Sequence, residues 1–247
     1  MFRNRRRIVV LSMVLLVAAL LPASVARGQM PGNLSHCSEL AFSTEEDFVT
    51  QGPEPADGNT IISDGDLLSA SGVVCARNLD LLHDFNVNQD LGLDAADVLD
   101  VQDYIVAFST ELDNPNQDQF TAGDLLVTNG IIIPNVALTH LFPIGYDIGL
   151  DGVHFVGTDS DISAFLDEIG QYDRRYWLEN PGNLATVLNR RKVDIWFSTE
   201  GTFAPDEPPL ILDGDLLSAA LGGVVVPQDG LLPSHVPAGI PNRGVDF

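Results

Sequence analysis

Over most of the chain, apolar residues come in short alternating or continuous runs rather than at helical spacing, and the same three kinds of run return in the same order. "LAFSTE" at 40–45 comes back as "VAFSTE" at 106–111 and "IWFSTE" at 195–200, each placed like the end of a strand. Next comes a turn, a leucine pair and a second apolar run: "DGDLLSASGVV" from Asp64, "AGDLLVTNGII" from Ala122 and "DGDLLSAALGGVV" from Asp213. That pattern reads as a glycine-bracketed hairpin. A third run, "GLDAADV" at 92–98, recurs as "GLDGVHF" at 149–155 and in shortened form as "GVDF" at 244–247.

Periodicity on this scale implies one small sheet unit in several copies. The expectation is an all-β fold of three four-stranded pseudo-repeats, spanning about 36–102, 103–158 and 193–247, within a single domain over 29–247. Inside the chain a GLDA run is followed at once by an FSTE run, whereas at the two ends this pair is split. Pairing Leu40–Ser43 with Val245–Phe247 would close the repeats on themselves and hide two exposed sheet edges. A few-bladed β-propeller-like ring satisfies this, and a β-trefoil is the alternative. One segment does not repeat, 159–192. There Ile162, Phe165, Leu166 and Ile169 recur at helical spacing behind a Ser160 or Asp161 cap, which predicts an amphipathic helix.

The first residues change the compartment. Arg3, Arg5, Arg6 and Arg7 precede an apolar stretch from Ile8 to Leu21 and then small residues, the layout of a signal peptide over 1–28. The apolar run of roughly 14 residues falls short of the about 20 that span a bilayer, so a secreted or periplasmic domain without a membrane span is expected. Cys37 and Cys75, the two cysteines, are then expected to form a disulfide. Five of the twelve basic residues precede residue 29, leaving seven against all 35 acidic ones, a net charge near −28. Such a surface excludes nucleic acid as a partner.

Repeated acids supply the candidate chemistry. Asp66, Asp124 and Asp215 of the turns, with Glu45, Glu111 and Glu200 of the FSTE strands, are oxygen donors of the kind calcium takes. The structural reading gives the Asp a role in the turn and Gly65, Gly123 and Gly214 a positive φ. His83 and His140 stand at equivalent positions, which suggests shared packing. No catalytic residue is singled out, since many acids are present and nothing marks a pair. The insert holds five of the seven remaining basic residues. Its Tyr172, Arg174, Arg175, Tyr176 and Trp177 form a candidate surface for a carbohydrate or protein ligand; the alternative is that these aromatics pack onto the β body while the arginines neutralise acidic loops.

At these markers the chain resembles a group of secreted bacterial repeat proteins in which an FS-x-E strand, a DGDLLS turn and a GLDA strand recur. The likeness covers the chain after the leader except 159–192, and it implies a propeller-like repeat domain without an attached activity. A second, local likeness is to the calcium loop of dockerins and EF-hands: in "NVNQDLGLDAADV", Asn86, Asn88, Asp90, Asp94 and Asp97 fall at loop positions 1, 3, 5, 9 and 12. The functional expectation is a secreted noncatalytic binding or structural module stabilised by calcium. Its rival is a carbohydrate-active hydrolase using acidic residues with Trp177 as a sugar platform.

Overall fold

A computed structural model describes residues 32–52, 54–116, 118–203 and 210–231. The leader and the Val245–Phe247 segment expected to pair with Leu40–Ser43 lie outside the described residues. The fold consists of four small antiparallel sheets with a helical insert.

The first sheet joins β1 (Ala41–Phe42), β4 (Leu67–Ser69) and β5 (Val74–Ala76), with a side hairpin of β2 (Phe48–Val49) and β3 (Ile61–Ile62). A short helix α1 (Asn78–Leu81) follows. The second sheet is an up-and-down meander of β6 (Ala96–Asp100), β7 (Ile105–Phe108), β8 (Leu125–Val127) and β9 (Ile131–Ile133), followed by α2 (Asn135–Leu138). The third repeats this meander with β10 (Gly152–Val156), then β11 (Asp194–Ser198), β12 (Leu216–Ser218) and β13 (Gly223–Val226), ending in α6 (Gln228–Leu231). Each full sheet therefore opens with a GLDA strand and pairs it with the FSTE strand that follows. Ala96 faces Phe108 in one sheet and Val153 faces Phe197 in the next. Strand β6, assigned by sequence to the first repeat, thus belongs to the second sheet.

Period-two alternation explains why these strands are apolar throughout. In the second sheet Ala107, Leu125 and Val127 face one hydrophobic core while Val106, Phe108 and Leu126 face another, so both sides are covered. The first core joins the second and third sheets to the insert. The second lies beneath the first sheet, where Phe85 meets Phe108 and Phe120 edge-on and the Cys37–Cys75 disulfide forms with its Cα atoms 6.3 Å apart.

The insert folds as three helices, α3 (Asp159–Ile169), α4 (Arg174–Glu179) and α5 (Asn183–Arg191). The cap of α3 is Thr158, whose hydroxyl accepts from the Asp161 amide, rather than Ser160 or Asp161. Helices α4 and α5 go beyond the single helix expected; α5 buries Leu184, Val187 and Leu188 on one face. Among the described residues no helix is long and apolar enough to cross a membrane.

Two expectations are corrected. Positive φ falls on Gly72, Gly130 and Gly222, which close the hairpins after the leucine pair, and on Gly92 and Gly149 of the GLDA segments, not on Gly65, Gly123 or Gly214. Those three are glycine for lack of room: a Cβ would strike Asn78 and Asp90, Asp147, or Gln228. His83 and His140 are both exposed, so they carry no shared packing role.

Candidate functional site

The turn aspartates show how the repeats are held. Each is buried and accepts two backbone N–H bonds. Asp66 takes them from Ser63 at 3.0 Å and Asn78 at 3.3 Å, Asp124 from Thr121 and Asn135 at 3.1 Å each, and Asp215 from Leu212 at 3.0 Å and Gln228 at 2.8 Å. Two of them also hold a guanidinium, Asp66 with Arg77 at 2.5 Å and Asp124 with Arg174 at 2.6 Å. A buried carboxylate needs such partners to remain tolerable. Their oxygens are committed to the turn, and in Asp66 and Asp124 to arginine as well, which separates Asp66, Asp124 and Asp215 from the glutamates they were grouped with as calcium ligands.

Next to each aspartate stands a residue that sequence reasoning passed over. The Asn78 amide donates to the carbonyls of Gly65 at 3.2 Å and Gly92 at 2.9 Å, and its oxygen accepts from Leu91 at 3.1 Å. Asn135 does the same to Gly123, Gly149 and Ile148 at 3.2, 2.9 and 3.3 Å. Each asparagine ties a GDLL turn to the next GLDA segment. The signal was available, since both follow an apolar strand at equivalent positions and Gln228 takes that place in the third copy.

The FSTE glutamates lie within electrostatic reach of one another, Glu111 feeling both Glu45 and Glu200. The left-handed turn at Gly92 lays its backbone against Glu111, and Gly149 does so against Glu200. Asp94, from the GLDA segment after Gly92, hydrogen-bonds Glu200 and feels Asp151 and Glu111. A carboxyl–carboxylate bond requires that one partner carry a proton. Burial, then Glu200, Asp151 and Glu111, push Asp94 well above the ordinary carboxylate range. Burial, then Asp64, Glu45, Asp90 and Glu200, push Glu111 up to about 7. Asp94 and Glu111 thus share an acidic centre with Glu45 and Glu200 that does not include Asp66, Asp124 or Asp215.

Among the described residues no three acids, histidines or cysteines converge closely enough to hold an ion. The dockerin-like positions diverge as well. Asn86 closes a turn of 3-10 helix, Asp90 accepts from the Gly92 amide, Asp94 joins Glu200, and Asp97 sits in β6 with its carboxylate on the Phe155 amide at 2.7 Å and on His154 at 3.3 Å.

In the insert, Trp177 is fully buried, so its ring offers no face to a sugar, and Arg174 is taken up by Asp124. What reaches the surface is a stacked pair, Tyr172 on Tyr176 with ring centres 4.1 Å apart and planes 20° from parallel, both set edge-on to Trp177. Arg175 stands exposed beside them, paired with Glu179 at 2.8 Å. Arg190 and Arg191 both bind Glu168.

No family model, curated protein or solved structure matches the chain.

Proposed function

We propose that this chain is a secreted, noncatalytic module of binding or structural kind, built as a propeller-like ring of three sheets around the carboxylate centre. One observation carries the reading: the turn aspartates, present in all three copies, and the asparagines beside two of them are buried and bonded to backbone rather than aimed into a cleft. Repetition here serves the joints between units. The disulfide suits an oxidising compartment. Recognition falls to the Tyr172–Tyr176 stack with Arg175, an aromatic and cationic edge suited to a carbohydrate or protein ligand. Calcium enters this reading as a stabiliser of the acidic centre to be tested, not as a resident ion.

A hydrolase remains the second reading because burial and neighbouring carboxylates raise Asp94 and push Glu111 up to about 7, toward the protonated state a general acid needs. Incubating the purified protein with a panel of polysaccharides and measuring reducing ends separates the two. No release is expected; release that is lost on Asp94→Asn or Glu111→Gln would replace the module with an enzyme. Melting in calcium and in chelator tests the stabiliser, because a ligand selective for the folded state raises the midpoint.

A further inference from the structure

The insert sets two phenol rings face to face. Tyr172 and Tyr176 lie with ring centres 4.1 Å apart and planes 20° from parallel, whereas the other ring contacts among the described residues are tilted or edge-on. At that spacing carbons of the two rings are in van der Waals contact, at about 3.5–4.0 Å. The other two of the four tyrosines are placed differently: the Tyr104 hydroxyl is buried, and Tyr146 is exposed beside Phe203 with ring centres 6.4 Å apart.

The pair is held in place from several sides. The Tyr176 amide donates to the Asp173 carboxylate at 2.9 Å, where that side chain caps α4, and the Tyr176 hydroxyl accepts from the Asn183 side-chain amide at 2.9 Å. Because Asn183 is the donor, the hydroxyl keeps its own hydrogen free to leave. Tyr172 lies in the turn after α3, its amide on the Ile169 carbonyl at 3.1 Å. Buried Trp177 stands edge-on to both rings and fixes how they lean. Tyr172 is 37% exposed, so one ring of the pair meets solvent. A phenol that loses one electron and its hydroxyl proton becomes a radical with spin on the ring carbons beside the oxygen. Two such radicals in contact join there.

We propose that Tyr172 and Tyr176 form an oxidative modification site, at which a peroxidase with hydrogen peroxide joins the two rings by a bond between carbons ortho to their hydroxyls. Each ring gives up one electron and one hydroxyl proton, the carbon–carbon bond forms, and the hydrogens on the joined carbons move to the oxygens to restore both phenols. The two electrons and two protons reduce one hydrogen peroxide to two waters, so the chain ends two hydrogens lighter. The bond ties the turn after α3 to α4, the helix whose Arg174 holds Asp124 at 2.6 Å, and so fastens the insert where it grips the second GDLL turn. The Cys37–Cys75 disulfide suits the same oxidising surroundings. The site goes beyond the module reading, since it needs neither a ligand nor a noncatalytic chain.

Treating the full chain with a haem peroxidase and limiting hydrogen peroxide is expected to give monomers lacking two hydrogens. Trypsin cuts after Arg174 and Arg175, which stand between the two tyrosines, so a Tyr172 peptide and a Tyr176 peptide that stay joined locate the bond. Because a pair already in contact reacts as a unimolecular step, this link should outnumber links between chains by at least about tenfold at micromolar protein. Exposure alone would favour Tyr146, at 57% against 37% for Tyr172, so the order of reaction separates contact from accessibility. Tyr172→Phe and Tyr176→Phe keep a ring at each place and should each abolish the link, while Tyr146→Phe should leave it unchanged. No link, links mainly between chains, or Tyr146 products ahead of the Tyr172–Tyr176 bond overturns the assignment. The polysaccharide assay reads none of this, so the crosslink and the module reading can fail separately.

Discussion

Asn78 and Gly92 are joined by a 2.9 Å hydrogen bond from a side-chain amide to a backbone carbonyl, and Asn135 and Gly149 are joined by the same bond at 2.9 Å. Each asparagine makes three bonds in a buried place, so its removal strands two carbonyls and an amide. Asn135→Ala is expected to lower unfolding free energy by about 3 kcal/mol. Asn135→Asp should be worse at pH 8 than at pH 5, because an ionised oxygen would face the Gly123 and Gly149 carbonyls. Urea titrations at both pH values check the order; a neutral Asn135→Ala change would remove the clamp from this account.

Asp124 supports the second turn through Thr121, Asn135 and Arg174. Asp124→Ala leaves two buried amides and a half-buried guanidinium without an acceptor, and a loss of about 3–5 kcal/mol is expected. If the carboxylate held calcium instead, chelator would reproduce the defect in the unaltered protein. The prediction is that chelator leaves the unaltered protein well above the variant in thermal midpoint.

Much of the fold was legible because short apolar runs and turn residues carry their own geometry. Among the described residues the FSTE, GDLL and GLDA runs became strands or strand entries, the hairpins closed on glycine, and the cysteines paired. The site was less legible. Equal repetition hid the fact that Glu111 and Asp124 have different surroundings, one in a shared acidic centre and the other against an arginine 50 residues away. Long-range partners of that sort leave no local trace. Trp177 misled for the opposite reason: its neighbours Arg175 and Tyr176 suggest a surface, but a six-residue helix turns the indole inward while Arg175 stays out.

Gly149 has φ 79° and its backbone lies against Glu200, so an alanine there meets both a strained conformation and a side chain with little room to yield. Gly149→Ala is expected to cost more than about 2 kcal/mol. Gly145, four residues earlier, has open space around it and no positive φ, and its alanine variant should stay within about 0.5 kcal/mol. Paired melts of the two variants test whether the GLDA glycine is required by contact; similar losses would mean that it is not.

Acid should stabilise this protein down to the mildly acidic range. Glu111 keeps its proton up to about pH 7, whereas an unfolded chain releases it near the ordinary 4.5. A raised carboxylate pKa favours the folded state fully below the unfolded value, and that advantage disappears as pH rises through the folded one. Asp94, raised by burial and by Glu200, acts in the same direction. Asp57 opposes them, because its bond to Arg77 holds it below 3.8; its contribution is present above that value and is lost as pH falls further. The midpoint should therefore peak near about pH 5 and fall toward pH 8, with added salt recovering part of the loss at pH 8 by screening like charges. Glu111→Gln, which copies the protonated form, should flatten the fall. A midpoint that climbs from pH 5 to pH 8, or an unchanged slope in Glu111→Gln, would mean that the carboxylate centre carries no excess charge in the folded chain.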